Sequence, residues 1–254
     1  MLEFERKWKE RFAEYGTLYD DDAGIAGWSS TGLETRFRHF VAACAPARTD
    51  GSWLDAGCGA GTYSRFLASK SAAVIALDYS FPSLVKASAR TPDGVRFIAG
   101  DATRLPFRQD AFDGALCFGV TQALSDTAPV VRELAAVCRP GGKVWIDALN
   151  QWCVPHVLFA IYRRLVGTPR HLRYESSRRL AGLMRAAGLT NVRIHWMPIV
   201  PTKWQTLQPR LEGPAARWVF AHIPLVSLMF CHSFMIVGEK AAPSAPRSGP
   251  EDPG

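Results

Sequence analysis

The chain has 254 residues, 48% of them hydrophobic and 21% charged, a length and balance that fit one large α/β domain better than two small ones. Its charge is divided: residues 1–150 carry 17 Lys+Arg against 18 Asp+Glu, while residues 151–254 carry 13 against 5. The first half is therefore near neutral, and the second is suited to an acidic acceptor, nucleic acid or an anionic membrane surface.

The opening stretch Met1 to Glu14 is too charged for a secretory signal. Residues 3–45 read mainly as helix, broken around Tyr19 to Gly27, with Phe37, Phe40, Val41 and Cys44 on one face of the stretch from Thr35. Five short apolar runs follow: Ser52 to Ala56, Ala73 to Asp78, Val95 to Gly100, Phe112 to Phe118 and Lys143 to Leu149. Continuous rather than alternating hydrophobicity marks strands covered on both faces, and the helical patterns between them imply parallel βαβ crossovers. Helices are expected at Pro155 to Val166 and at Ser176 to Ala187, the latter opening on a serine cap and stopping at Gly188. Two further strands, Asn191 to Val200 and His232 to Lys240, bring the count to seven. The stretch Trp218 to Gly238 has no charged residue, long enough to span a bilayer. Its Pro224, His222 and His232 favour a short apolar helix followed by a buried strand. Residues 241–254 lack core-forming content and are expected to be a disordered tail. The six cysteines are scattered singly, without zinc spacing, which suits a reducing cytoplasm and predicts no metal site.

The chemistry concentrates in "LDAGCGAGTYSRF", Leu54 to Phe66. Gly57, Gly59 and Gly61 form a strand-to-helix turn, but Thr62 stands where a dinucleotide fingerprint would have its third glycine. Asp55, two residues before the first glycine, would repel a pyrophosphate and suit an amino-bearing ligand. Asp78 ends the second strand, where a carboxylate can accept from both ribose hydroxyls. Asp101 follows the third strand, where it can accept from an adenine amino group while the amide of Ala102 addresses the ring. Three acids at three successive strand ends lie on the sheet edge where ligands bind.

The order of these motifs resembles the class I S-adenosylmethionine-dependent methyltransferases, in particular the small-molecule branch called methyltransferase type 11. The resemblance runs from Leu33 to Leu149, with weaker echoes at Arg173 to Val192 and His232 to Lys240. It implies a doubly wound, mostly parallel, Rossmann-like α/β sheet of seven strands with N-terminal helices and a helical lid. It implies one domain over 1–240, with an N-terminal extension over 1–50 and a lid over 150–175. It assigns Asp55, Gly57, Gly59 and Gly61 to the methionine part of S-adenosylmethionine, Asp78 to the ribose, and Asp101 with Ala102 to the adenine. Phe118 would flank the cofactor.

The acceptor is less legible. After the fourth strand comes "CFGVTQAL", without the Asn/Asp-Pro-Pro-aromatic motif of exocyclic-nitrogen enzymes, and the chain also lacks the Pro-Cys pair of cytosine-C5 enzymes. Both absences count against nucleic acid, although Thr121 and Gln122 could touch an acceptor. His156 and His171 flank the expected lid and are the candidate bases. The lid pairs an apolar run with Arg163, Arg164, Arg170 and Arg173, which suits a small organic or lipid-like acceptor and peripheral contact with a membrane. A cofactor-binding protein without methyl transfer, or a methyltransferase acting on nucleic acid or protein, is the alternative.

Overall fold

Five apolar runs become five parallel strands, and the last strand of the chain inserts antiparallel between the fifth and the sixth. The computed structural model describes residues 3–44, 51–70, 73–91, 93–168 and 172–242. Three helices come first, α1 (Glu3–Leu18), α2 (Asp22–Ile25) and α3 (Ser30–Cys44). The alternating part runs β1 (Ser52–Ala56), α4 (Thr62–Ala68), β2 (Ala73–Asp78), α5 (Phe81–Ala89), β3 (Val95–Ala99), β4 (Phe112–Cys117), α6 (Ala128–Val137) and β5 (Cys138–Leu149). Then come α7 (Val154–Leu165), α8 (Ser177–Ala186), β6 (Leu189–Met197), α9 (Gln208–Leu211), α10 (Pro214–His222), α11 (Pro224–Phe230) and β7 (Ser233–Lys240). The seven strands lie in the order β3-β2-β1-β4-β5-β7-β6, with β7 antiparallel to both neighbours.

Strand alternation sends each element's side chains to two cores. Leu54, Ala56, Leu77, Ala115 and Ile146 meet Val130, Val131 and Leu134 of α6 and Leu180 and Met184 of α8. On the opposite face Trp53, Leu116, Trp145 and Met235 pack on Phe40 of α3 and Tyr63 and Leu67 of α4. Phe40 is fully buried among four aromatic rings, and its burial alone contributes about 2–3 kcal/mol. The six cysteines are free thiols, all buried.

Several ends differ from the sequence expectations for local reasons. The third helix starts at Ser30 rather than Thr35, because Ser29 Oγ accepts the Gly32 N–H at 3.1 Å and caps it. β5 starts at Cys138 rather than Lys143: Cys138 pairs with Phe112, and a register shift absorbs the extra residues Arg139–Gly142 before Lys143 pairs with Gly114. β6 spans Leu189–Met197, with a bulge between Thr190 and Arg193 where Asn191 takes a left-handed φ of 51°. The uncharged stretch forms two short helices, α10 and α11, and then β7. Ile223, just before Pro224, leaves the helical region at φ −114°, ψ 84° and breaks the run. Among the described residues no helix is long and apolar enough to cross a membrane. Of the expected tail, 243–254 lies outside the described residues, as does His171.

Candidate cofactor and active site

The strand order reverses between β1 and β4, which opens a crevice at their carboxyl ends, the place where doubly wound sheets hold ligands. A cavity of about 440 Å³ lies there. Its floor is the glycine turn. Gly57 (φ 84°) donates its N–H to Leu77 O at 2.6 Å, which ties the turn to the end of β2. A Cβ on Gly57 would overlap Val120 Cγ2, so glycine is needed for close approach as well as for conformation. A Cβ on Gly59 would meet nothing within 4 Å, and Gly59 lines the cavity: its backbone is bare toward the space. Gly61, at φ 78°, is the N-terminal cap of α4 and does not itself line the cavity.

Asp78 lines the cavity and is only 8% exposed. One carboxylate oxygen accepts the Gly59 N–H and the other the Ser80 N–H, both at 2.8 Å. Burial raises its pKa, opposed by hydrogen bonds from the amides of Ser80, Gly59 and Tyr79. Asp78 thus shapes the turn while presenting its remaining lone pairs to the cavity. Asp101 takes Thr103 N–H at 2.9 Å and Thr103 Oγ1 at 2.7 Å on one oxygen, and Lys9 Nζ at 2.6 Å on the other. Burial pushes its pKa up, but the hydrogen bonds from Lys9 and Thr103 outweigh it and hold the carboxyl low. Ala102 and Phe118 also line the space, Phe118 with its ring 4.7 Å from that of Tyr63.

Asp55 does not reach the cavity. It shares its strand face with Trp53, points into the sheet–α4 interface and accepts Ser64 Oγ at 2.5 Å. Burial pushes its carboxyl up to about 7. The structure therefore brings together Gly57, Gly59, Asp78, Asp101, Ala102 and Phe118 and leaves Asp55 and Gly61 behind the turn.

Sequence reasoning missed the cover. Trp8, Lys9 and Phe12 of α1 close one side of the cavity, and Ile25, Trp28 and Leu33 another. The apolar spacing of Trp8, Phe12 and Tyr15 was the available signal for a packed face. It also missed Asp147, an acid inside the apolar run of β5. Asp147 is 3% exposed, accepts Gly119 N–H at 2.7 Å and pairs with the 4% exposed Arg36 at 3.0 Å. The Arg36 guanidinium also lies over the Trp28 ring, 4.2 Å from its centroid. Burial raises the Asp147 pKa, opposed by Arg36 and by the Gly119 amide. This pair fixes the turn that follows Phe118. Thr121 is spent there too, its Oγ1 donating to Asp147 O at 2.8 Å within a short 3₁₀ turn.

His156 lies on a second, adjoining cavity bordered by α7. Its Nδ1 is 2.7 Å from Asn150 O. A carbonyl oxygen only accepts, so in the neutral ring Nδ1 carries the proton and Nε2 keeps the lone pair. Burial lowers its pKa, which keeps the ring neutral.

Against this geometry the relatives are informative. The methyltransferase-domain family model Methyltransf_11 matches residues 54–146, from the glycine turn through β5. The segment that holds the glycine turn and the five parallel strands is therefore the part similar to methyltransferase domains. The demethylmenaquinone methyltransferase of Paenarthrobacter aurescens is 32% identical over 152 residues, covering 58% of this chain and 59% of that one. The malonyl-[acyl-carrier protein] O-methyltransferase of Pseudescherichia vulneris is 34% identical over 110 residues, 43% of each chain. The chain thus spans about three-fifths or less of these relatives' length. Magnesium protoporphyrin IX methyltransferase from Synechocystis, solved with bound SAH, superposes with a TM-score of 0.63. It covers 94% of this chain and 100% of that one, at 13% identity. This chain therefore shares the fold of that protein, and its N-terminal helices and α7 lie outside the segment matched by the family model.

Proposed function

We propose that this protein transfers a methyl group from S-adenosylmethionine to a small organic or lipid-like acceptor. The observation that carries the reading is the floor of the first cavity, where a bare Gly59 backbone and the Asp78 carboxylate lie together. That pairing fits a ligand with a ribose and no phosphates, because a carboxylate accepts from hydroxyls but repels a pyrophosphate. Asp101, Ala102 and Phe118 complete a site for the adenine and its flank. When bound, the cofactor supplies an electrophilic methyl on a good leaving group. The chain's residues then contribute alignment, which in well-oriented pairs is worth effective molarities of about 10⁵ M or more. His156 Nε2 is the group we assign to accept the acceptor's proton. The names of the relatives, a demethylmenaquinone methyltransferase and a malonyl-[acyl-carrier protein] O-methyltransferase, support an acceptor that is small or lipid-like.

Calorimetry with S-adenosylmethionine, its demethylated product and NAD tests the cofactor. Binding of the first two and not the third is expected, and NAD binding alone would refute it.

We further propose a cytoplasmic protein that touches membranes through α7, whose Leu158, Ile161 and Leu165 are exposed beside Arg163 and Arg164. Flotation with anionic vesicles at low salt, lost at high salt and in Arg163→Glu/Arg164→Glu, is the expected result. Absence from anionic vesicles at low salt would reject the contact.

A further inference from the structure

The cavity beside the cofactor site is larger than the cofactor site itself, about 1090 Å³, and its lining is chemically specific. It is bounded by α7, by the segment leading into α8, and by Leu124 and Ser125. Leu124 lines both cavities, and the first turn of α1 gives Glu5 to one and Phe4 to the other, so the two spaces adjoin. One wall is apolar, with Trp152, Phe159, Ile161 and Leu172. The rest carries Arg163, Arg164, Arg173 and Arg179, with Glu175 the one carboxylate among the described lining residues.

That carboxylate is already committed. Glu175 is buried and accepts Thr127 Oγ1 at 2.5 Å, Arg173 at 3.0 Å and Arg179 at 3.0 Å. It fixes those two guanidinium groups, Asp126 takes a second nitrogen of Arg179 at 2.9 Å, and Arg163 lies over the Phe159 ring, so that the described lining is net positive. Cations crowded against an apolar wall repel one another and lose hydration, and an anion entering the space relieves both costs. Guanidinium groups also present paired donors that match carboxylate and phosphate oxygens.

We propose that this cavity recognises the acceptor, and that the acceptor is an amphiphilic anion: an apolar body carrying a carboxylate- or phosphate-type group held by Arg163 and Arg164. This deepens the methyl-transfer reading and rests on it for the word acceptor, while the anion site itself stands on the cavity. The division of labour is explicit. Phe159 and its apolar neighbours hold the body, and the α7 arginines hold the charge.

The test uses the full chain saturated with the demethylated cofactor, with decanoate, decyl phosphate and decanol as probes, at fixed low ionic strength. Calorimetry should show both anions binding about tenfold or more tightly than decanol, the range expected for a charge-assisted hydrogen bond. Arg163→Gln/Arg164→Gln should abolish that preference and leave decanol unchanged. Ile161→Ala should weaken all three probes alike. These side chains are half-buried or exposed on α7, and melting curves check that the variants fold. Equal binding of decanol and the anions overturns the proposal, as does wild-type decanoate affinity in the arginine variant. Failure of the demethylated cofactor to bind would instead overturn the methyl-transfer reading, and the decanoate comparison could still be read.

Discussion

Asp55→Asn isolates a charge that the fold holds against its preference. The carboxyl is buried, its pKa is raised from 3.8 to about 7 chiefly by desolvation, and Ser64 is its hydrogen-bond partner. A raised folded pKa means that the native state keeps a proton which the unfolded chain has already lost. Stability contributed by this group is therefore full below the unfolded pKa and falls as pH rises toward 7. Between about pH 5 and pH 8 the loss amounts to about 2.5 kcal/mol, because each pH unit across that window is worth about 1.4 kcal/mol per proton. Asparagine has the shape of the protonated acid and nothing to titrate. Asp147, also raised by burial, is present in both proteins, and removing the Asp55 charge only eases ionisation of the neighbouring Asp78, so the direction of the gap is unchanged. Urea unfolding at the two pH values should therefore show Asp55→Asn gaining on wild type by about 2.5 kcal/mol as pH rises. A gap that stays constant to within about 0.5 kcal/mol would refute the buried, protonated Asp55.

Asp78→Asn keeps the size of the side chain but sets an amide N–H against one of the two backbone donors it now accepts. Affinity for S-adenosylmethionine should fall roughly ten- to a hundredfold by calorimetry, with a lower melting temperature. Gly57→Ala should abolish cofactor binding, since its Cβ overlaps Val120, and Gly57→Ala/Val120→Ala should recover part of it. No recovery would place the whole cost in the backbone. Asp147→Ala strands Arg36 in the interior and should cost about 3–5 kcal/mol in denaturant unfolding. Arg36→Met/Asp147→Leu should cost much less, and a loss equal to the sum of the single variants would refute the coupling.

The sheet was legible because β1, β2 and β4 are buried on both faces and read as unbroken apolar runs between turn residues. The acids at the ends of β2 and β3 were legible for the same reason: a charge that terminates an apolar strand has few places to go except the sheet edge. Side-chain direction was harder. Asp55 alternates with Leu54 and Ala56, and the two-residue period alone puts it on the Trp53 face. Reading it as a ligand residue required the opposite, a carboxylate turned out of the sheet into the crevice. The cover over the cavity was not legible, because the apolar stripe of α1 says that it packs and not where. Lys86 shows why it docks on α5: its ammonium donates to the carbonyl oxygens of Thr17 and Tyr19 at 2.9 and 2.6 Å, closing the end of α1.

Asp78 and Asp147 share a design that the sequence could not reveal. Each sits at or near a strand end, each is nearly dry, and each spends an oxygen on a loop amide that borders the cofactor cavity: Gly59 for Asp78, Gly119 for Asp147. In both cases the loop residue is a glycine at positive φ, whose amide is held by a carboxylate instead of by regular strand pairing. A buried carboxylate is costly unless hydrogen-bonded, and these loops supply the missing donors, so turn and acid stabilise one another. The arrangement makes the floor and wall of the cavity stiff before any ligand arrives. It also means that the residues most readily named as ligand contacts act first on the backbone that the ligand would meet. A variant at either position should therefore change loop geometry together with affinity, whereas variants of Arg163 and Arg164, on a helix apart from these loops, should leave the loops and cofactor affinity unchanged.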